Sequence, residues 1–121
     1  MPYLFEPAVS PDIAAESAGI CIETGAIVAN YRRLASQADV VVVEGTGGWL
    51  CPIGPTSTMA DIAVALAVPV LLVVGLRLGC LNHALLSLES IRARGCDFAG
   101  WIGNRIDPHY LLPEANLASL T

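Results

Sequence analysis

Val40-Val41-Val42-Val43 are four β-branched residues in a row, preceded by Asp39 and followed by Glu44. No polar residue alternates with them. A strand with one wet face alternates in polarity. A strand covered on both faces does not, and that pattern belongs to parallel sheets layered under helices. Two further apolar runs follow, Pro69 to Val74 and Phe98 to Gly103.

Helical signals separate the runs. Ser10-Pro11-Asp12 reads as a helix start, with Ser10 as cap and Pro11 at the first helical position, and Gly19 ends that helix. A longer helix is expected from about Glu23 to Gln37, where Ile27, Tyr31 and Leu34 share one face. Thr58-Met59-Ala60-Asp61 has the capping-box pattern and opens a helix through about Leu66. A fourth helix is expected from about Leu81 to Arg94, closed by Gly95. Beyond Asp107 the pattern fades. Helices alternating with short apolar strands imply an α/β fold, part of a doubly wound parallel sheet. Ligands bind such sheets beyond the carboxyl ends of the strands. Three strand ends are therefore expected at one crevice: Glu44 to Gly48, Gly75 to Asn82, and Asn104-Arg105.

Composition narrows the function classes. The 121 residues are 55% hydrophobic and 14% charged, which excludes disorder. The net charge is −5 and no basic cluster exists beyond Arg32-Arg33 and the spaced Arg92 and Arg94, which argues against nucleic acid as a partner. The stretch from Ile62 to Leu76 is shorter than the ~20 residues of a spanning helix and is interrupted by Pro69 and Gly75, so no membrane partner is expected. No signal peptide is visible at the start, and a cytoplasmic location is expected. Cys21, Cys51, Cys80 and Cys96 have no zinc-ligand spacing and read as scattered small apolar residues.

The candidate site residues lie at the strand ends. Glu44 closes an apolar strand, where a carboxylate is either a Mg²⁺ ligand or a solvated residue just past the strand. Gly45-Thr46-Gly47-Gly48 is either a plain turn or a stretch cleared of Cβ atoms for a ligand. It is not a dinucleotide fingerprint, because Leu50 stands where the third glycine belongs. Gly79-Cys80-Leu81-Asn82 opens a helix whose first amides suit an anion such as a carboxylate, though Asn82 also serves as an ordinary first-turn residue. Cys80 is not read as a nucleophile, since no base is placed to activate it. Asn104 either hydrogen-bonds a purine edge or caps a loop. No G-x-x-x-x-G-K-[ST] is present, and all six basic residues are arginine.

These motifs, in this order, resemble the dethiobiotin synthetase family, ATP-dependent enzymes of biotin biosynthesis. The stretches that carry the resemblance are "EPAVSPDIAAESAGICI", "VVVEGTGGWLCPIGPTSTMAD", "PVLLVVGLRLGCLNHALLSLESIRARG" and "FAGWIGNRID". "EGTGGW" followed by "LGCLNHALL" is the specific pair.

The resemblance implies the following roles. Glu44 matches a Mg²⁺-ligating glutamate. Glu44, Gly45, Thr46 and Gly47 match a loop along the nucleotide phosphates, with Gly47 and Gly48 near the substrate. Gly79, Cys80, Leu81 and Asn82 match a helix start that holds the substrate carboxylate and reaches a neighbouring subunit, so a homodimer is implied. Asn104 and Arg105 match the adenine-recognition position. The implied reaction joins 7,8-diaminononanoate, CO₂ and ATP, with Mg²⁺ as cofactor, into the ureido ring of dethiobiotin through a phosphorylated carbamate.

The family also has a P-loop strand, two lysines, a metal-binding threonine and aspartate, and a C-terminal adenine loop. None of these is matched in this sequence. The expectation is therefore one incomplete domain spanning residues 1–121, with three strands visible and the central P-loop strand missing. That chain is expected to be inactive alone and to need a complementary P-loop-bearing fragment. The alternative is a non-catalytic remnant or subunit that keeps a carboxylate-binding helix start and a dimer surface.

Overall fold

The computed structural model describes residues 2–6 and 8–120. The elements, in chain order, are α1 (Pro11–Ser17), α2 (Thr24–Ala35), α3 (Met59–Leu66), β1 (Val70–Gly75), α4 (Cys80–Ala93), β2 (Phe98–Asn104) and α5 (Pro113–Ala118). They fall into two compact units, Met1–Ala67 and Val68–Thr121.

The first unit is helical. Pro11 stands at the start of α1, as its fixed φ favours. Ser10 occupies the cap position without a side-chain cap bond; its hydroxyl lies 4.0 Å from the Cys51 thiol instead. Gly19, at φ +64°, supplies the left-handed turn after α1. In α3 the capping box forms as the sequence indicates. Asp61 Oδ2 accepts the Thr58 backbone N–H at 2.7 Å and the Thr58 hydroxyl at 2.8 Å. Ala60, Ile62 and Leu66 are the buried residues of that helix.

Val40–Val43 departs from expectation. The segment forms no strand, and Val40 and Val42 are 78% and 86% exposed. β-Branched residues favour extended backbone, but a strand exists only where a neighbour takes its N–H and C=O groups. Residues 38–47 make no backbone–backbone hydrogen bond among the described residues. The expected three-strand sheet is thus, among the described residues, a two-strand sheet.

The second unit is a β–α–β unit. β1 and β2 are parallel neighbours, with Leu72 opposite Trp101 and Val73 opposite Ile102. Phe98 faces Val70 while Gly100 faces Leu71, so Ala99 is one residue extra in β2. Gly100 takes φ +130° at this bulge, a conformation side chains resist. A core forms on one face of the pair. Val74, Leu76, Cys80 and Ala84 are buried there, with Leu72, Trp101, Tyr110, Leu117 and Leu120 against them. Fully burying a side chain such as Leu76, 1% exposed, is worth roughly 1.5–3 kcal/mol.

The opposite face differs from the strand covered on both sides that the apolar run suggests. Leu71, Val73 and Ile102 are 52%, 60% and 50% exposed. The burial of β1 alternates because, within this unit, one layer packs on one face. α5, beyond the point where the sequence pattern fades, contributes Leu117 to the core.

Candidate functional site

Glu44 to Gly48 open a loop in the first unit. Glu44 and the residues through Gly48 are exposed. The loop then folds back on itself. Cys51 N–H donates to the Gly48 carbonyl at 3.0 Å, Ile53 N–H to Ser57 at 2.9 Å, and Met59 N–H to Cys51 at 2.9 Å. Pro52 and Thr58 form an antiparallel bridge, and Ile53, 2% exposed, anchors the turn. Gly47 carries the geometric demand. Its φ is +68°, and a Cβ there would lie 2.7 Å from the Cys51 sulfur and 3.0 Å from the Cys51 Cβ. The backbone conformation disfavours a side chain here, and the Cys51 side chain would have to shift to admit one. A Cβ at Gly48 would meet open space, so its requirement is not steric within the chain.

In the second unit the carboxyl ends of β1 and β2 emerge side by side, because the strands are parallel. Leu76 N–H donates to the Asn104 carbonyl at 2.7 Å and extends the ladder past both strands. This brings the segment Gly75 to Asn82 beside Asn104-Arg105, two of the three strand ends expected at one crevice. The Glu44 loop belongs to the other unit.

Gly79, at φ +92°, makes the turn into α4. Cys80 N–H donates to Arg77 at 3.0 Å and His83 N–H to Gly79 at 3.3 Å. The first-turn amides of Leu81 and Asn82 have no backbone acceptor among the described residues, as a helix start dictates. These two amides, not that of Cys80, are the donors that remain for an anion. Cys80 itself is 3% exposed within the core. Its sulfur lies 3.5 Å from the Tyr110 hydroxyl. That hydrogen bond, reinforced by burial, pushes the Tyr110 phenol up to about 12.

Asn104 is exposed at the end of β2. The Arg105 guanidinium is engaged by Glu114 of α5 in an exposed ion pair. An adenine-directed role for Arg105 would have to release that pair.

Sequence reasoning missed a groove of about 360 Å³ at this end of the sheet. It runs along β1 and is walled by α4, with Arg77, His83 and Ser87 among its polar residues. The available signal was spacing. Arg77 follows β1 by two residues, and His83 and Ser87 are four apart, hence on one helix face.

No group of three or more metal-ligating side chains occurs among the described residues. A lone carboxylate such as Glu44 suits Mg²⁺, which is commonly held by one or two carboxylates together with substrate phosphates. The donor chemistry fits that shared kind of site.

A parallel β–α–β unit in one half of the chain and a glycine loop in the other are the setting for the comparisons with known proteins. Residues 1–120 match a family model described as an AAA domain. The chain belongs to this family. Its fold is accordingly α/β of the P-loop NTPase-like type, built on a parallel sheet. Among similar proteins, the "ATP-dependent dethiobiotin synthetase BioD" of Aromatoleum aromaticum is 50% identical over 119 residues. The proteins of the same name from Xylella fastidiosa strains Temecula1 and 9a5c are 51% and 52% identical. Each alignment covers 98% of this chain and 53% of the relative. The chain therefore spans about half the length of these relatives. The resemblance to dethiobiotin synthetase read from the motifs holds across nearly all 121 residues.

Proposed function

We propose that the chain supplies part of an ATP- and Mg²⁺-dependent dethiobiotin synthetase, within a single domain of that type. The observation that carries this reading is the ~50% identity to three proteins of that name over 98% of the chain. In the proposed reaction an amine of 7,8-diaminononanoate attacks CO₂ and loses a proton, giving a carbamate. The carbamate oxygen takes the terminal phosphoryl group of ATP, releasing ADP. The second amine then attacks the carbamoyl carbon, phosphate leaves, and the ureido ring closes.

Each part of the chain has a place in this scheme. The exposed Glu44 carboxylate serves the Mg²⁺ that neutralises the nucleotide phosphates. Gly45, Thr46 and Gly47 line those phosphates, and Gly47 and Gly48 leave room beside them for substrate. Leu81 and Asn82, in the turn shaped by Gly79 and Cys80, donate amide hydrogens to the substrate carboxylate of a partner subunit in a homodimer. Asn104 reads the adenine edge, next to Arg105. A cytoplasmic location accords with these substrates, and no helix of the described residues is long and apolar enough to cross a membrane.

One observation favours a second reading. The 121 residues contain neither a lysine nor a P-loop motif, and phosphoryl transfer in P-loop proteins depends on both. On that reading the chain is a non-catalytic subunit that binds a carboxylate at α4 and offers a dimer surface. Both readings have the chain alone forming no dethiobiotin. They separate on reconstitution. The chain is mixed with a P-loop-bearing N-terminal fragment of a dethiobiotin synthetase, and ATP-dependent ring closure is assayed. Activity of the mixture, absent from either piece, supports the enzymatic reading; an inactive mixture in which the pieces demonstrably bind overturns it.

A further inference from the structure

The start of α4 separates two jobs that one capping side chain ordinarily does together. A Ser, Thr, Asp or Asn at the cap ties down the first turn, and it does so by accepting the N–H of the second or third helical residue. In α4 those residues are Leu81 and Asn82, the two donors left for an anion. The cap is Gly79, which has no side chain to place on them. The donors therefore stay free. The same glycine, at φ +92°, gives the turn no side-chain tie of its own. The tie comes from outside the helix, where the Cys80 thiol lies 3.5 Å from the Tyr110 hydroxyl.

Tyr110 is fixed in place by its own segment. Past β2, His109 N–H donates to the Asp107 side chain at 2.9 Å, and Tyr110 N–H donates to the Asp107 carbonyl at 3.3 Å. This turn brings the chain back over the sheet, and Tyr110 packs against the core of Val74, Leu76, Cys80 and Ala84. Cys80 is 3% exposed, so its side chain has little freedom to leave the contact. All of these residues belong to the second unit. We propose that Tyr110 is a positioning residue for carboxylate binding at α4: its hydroxyl, through the Cys80 thiol, holds the Leu81 and Asn82 amides in the direction in which they donate. The assignment rests on the reading of α4 as a carboxylate site, which gives Tyr110 no role. Tyr110 touches no ligand. It narrows the directions that the two amides sample before an anion arrives, and such preorganisation lowers the cost of binding.

The test is heteronuclear NMR of the whole chain, titrated with butyrate and with its neutral counterpart butyramide. Butyrate is expected to shift the Leu81 and Asn82 amides saturably, and butyramide is not. Tyr110→Phe keeps the ring in the core and removes only the hydroxyl. It is expected to raise the butyrate midpoint about three- to ten-fold, the worth of one hydrogen bond. Cys80→Ala should do the same, and the two together no more than either, because both break one contact. Lost packing would instead add. Hydrogen exchange gives a readout without ligand. The Cys80 and His83 amides, which close the first turn on Arg77 and Gly79, should exchange faster in Tyr110→Phe, while the Ile91 amide keeps its rate. An unchanged midpoint in Tyr110→Phe overturns the proposal, as does unchanged exchange of the first turn. Additive effects of the two substitutions overturn the route through the thiol. Amides of the unaltered chain that ignore butyrate overturn the carboxylate reading of α4 instead, and the exchange rates then decide by themselves whether Tyr110 holds the turn.

Discussion

The Cys80 thiol lies 3.5 Å from the Tyr110 hydroxyl, and this contact fastens the segment after β2 to the first turn of α4. The turn that presents Leu81 and Asn82 is thus held from two sides. Leu76 N–H fixes it to the end of β2, and Tyr110 fixes it to the chain that follows.

That contact has a titration signature. Tyr110 is pushed from 10.0 up to about 12, first by the hydrogen bond with Cys80 and then by burial. The folded state holds the phenolic proton more tightly than the unfolded state does. The resulting stabilisation is fully present below 10.0 and is lost as pH rises through about 12. Phenolate absorbance near 295 nm should therefore show one tyrosine ionising late in the native protein. Cys80→Ala should bring that late component back toward 10.0. A late component that survives Cys80→Ala would show that the thiol is not its cause.

The capping box at α3 gives a stability prediction. Asp61 accepts two hydrogen bonds from Thr58 at the helix start, where backbone N–H groups lack partners. Asp61→Ala should cost about 1 kcal/mol, and Asp61→Asn clearly less, since the amide oxygen can still accept. Urea midpoints of the two variants, compared at unchanged slope, check the order.

Arg105 and Glu114 form an ion pair with both side chains about two-thirds exposed, 67% and 71%. Water screens such a pair, so Glu114→Gln should change stability by about 0–1 kcal/mol. The same change frees the Arg105 guanidinium. If Arg105 serves the nucleotide in the reconstituted enzyme, Glu114→Gln should lower the KM for ATP and leave kcat unaltered. An unchanged KM would remove Arg105 from the nucleotide site.

Much of this architecture was legible in the sequence because its signals are local. Ser10-Pro11, Thr58-x-x-Asp61 and Gly95 mark helix ends, and α1, α3 and α4 lie within one or two residues of those marks. The apolar runs that became β1 and β2 were likewise visible. Val40–Val43 carries the same local signal without the outcome, because strand formation requires a partner backbone and sequence pattern does not supply one. α5 was illegible for the opposite reason. Its helix is short, and Leu117 takes its place by packing against the core of Val74, Leu76, Cys80 and Ala84, distant along the chain. At the site, the glycines and the α4 start could be read from residue type. The engagement of Arg105 by Glu114 and the burial of Cys80 are products of packing.

Gly47 offers the sharpest separation between a loop shaped for a ligand and a plain turn. Its φ of +68° costs an alanine roughly 1 kcal/mol, and the Cβ would stand 2.7 Å from the Cys51 sulfur. Gly47→Ala should therefore strain the loop locally, and Cys51→Ala should relieve the collision while leaving the backbone cost. Gly48→Ala meets no atom of the chain within 4 Å. As a structural residue it should tolerate alanine with a change within about 0.5 kcal/mol. In the reconstituted enzyme the two substitutions then discriminate. If Gly48 leaves room for substrate, Gly48→Ala should raise the KM for diaminononanoate at unchanged stability. Gly48→Ala with parental stability and parental kinetics would show that the loop leaves room for nothing at that position.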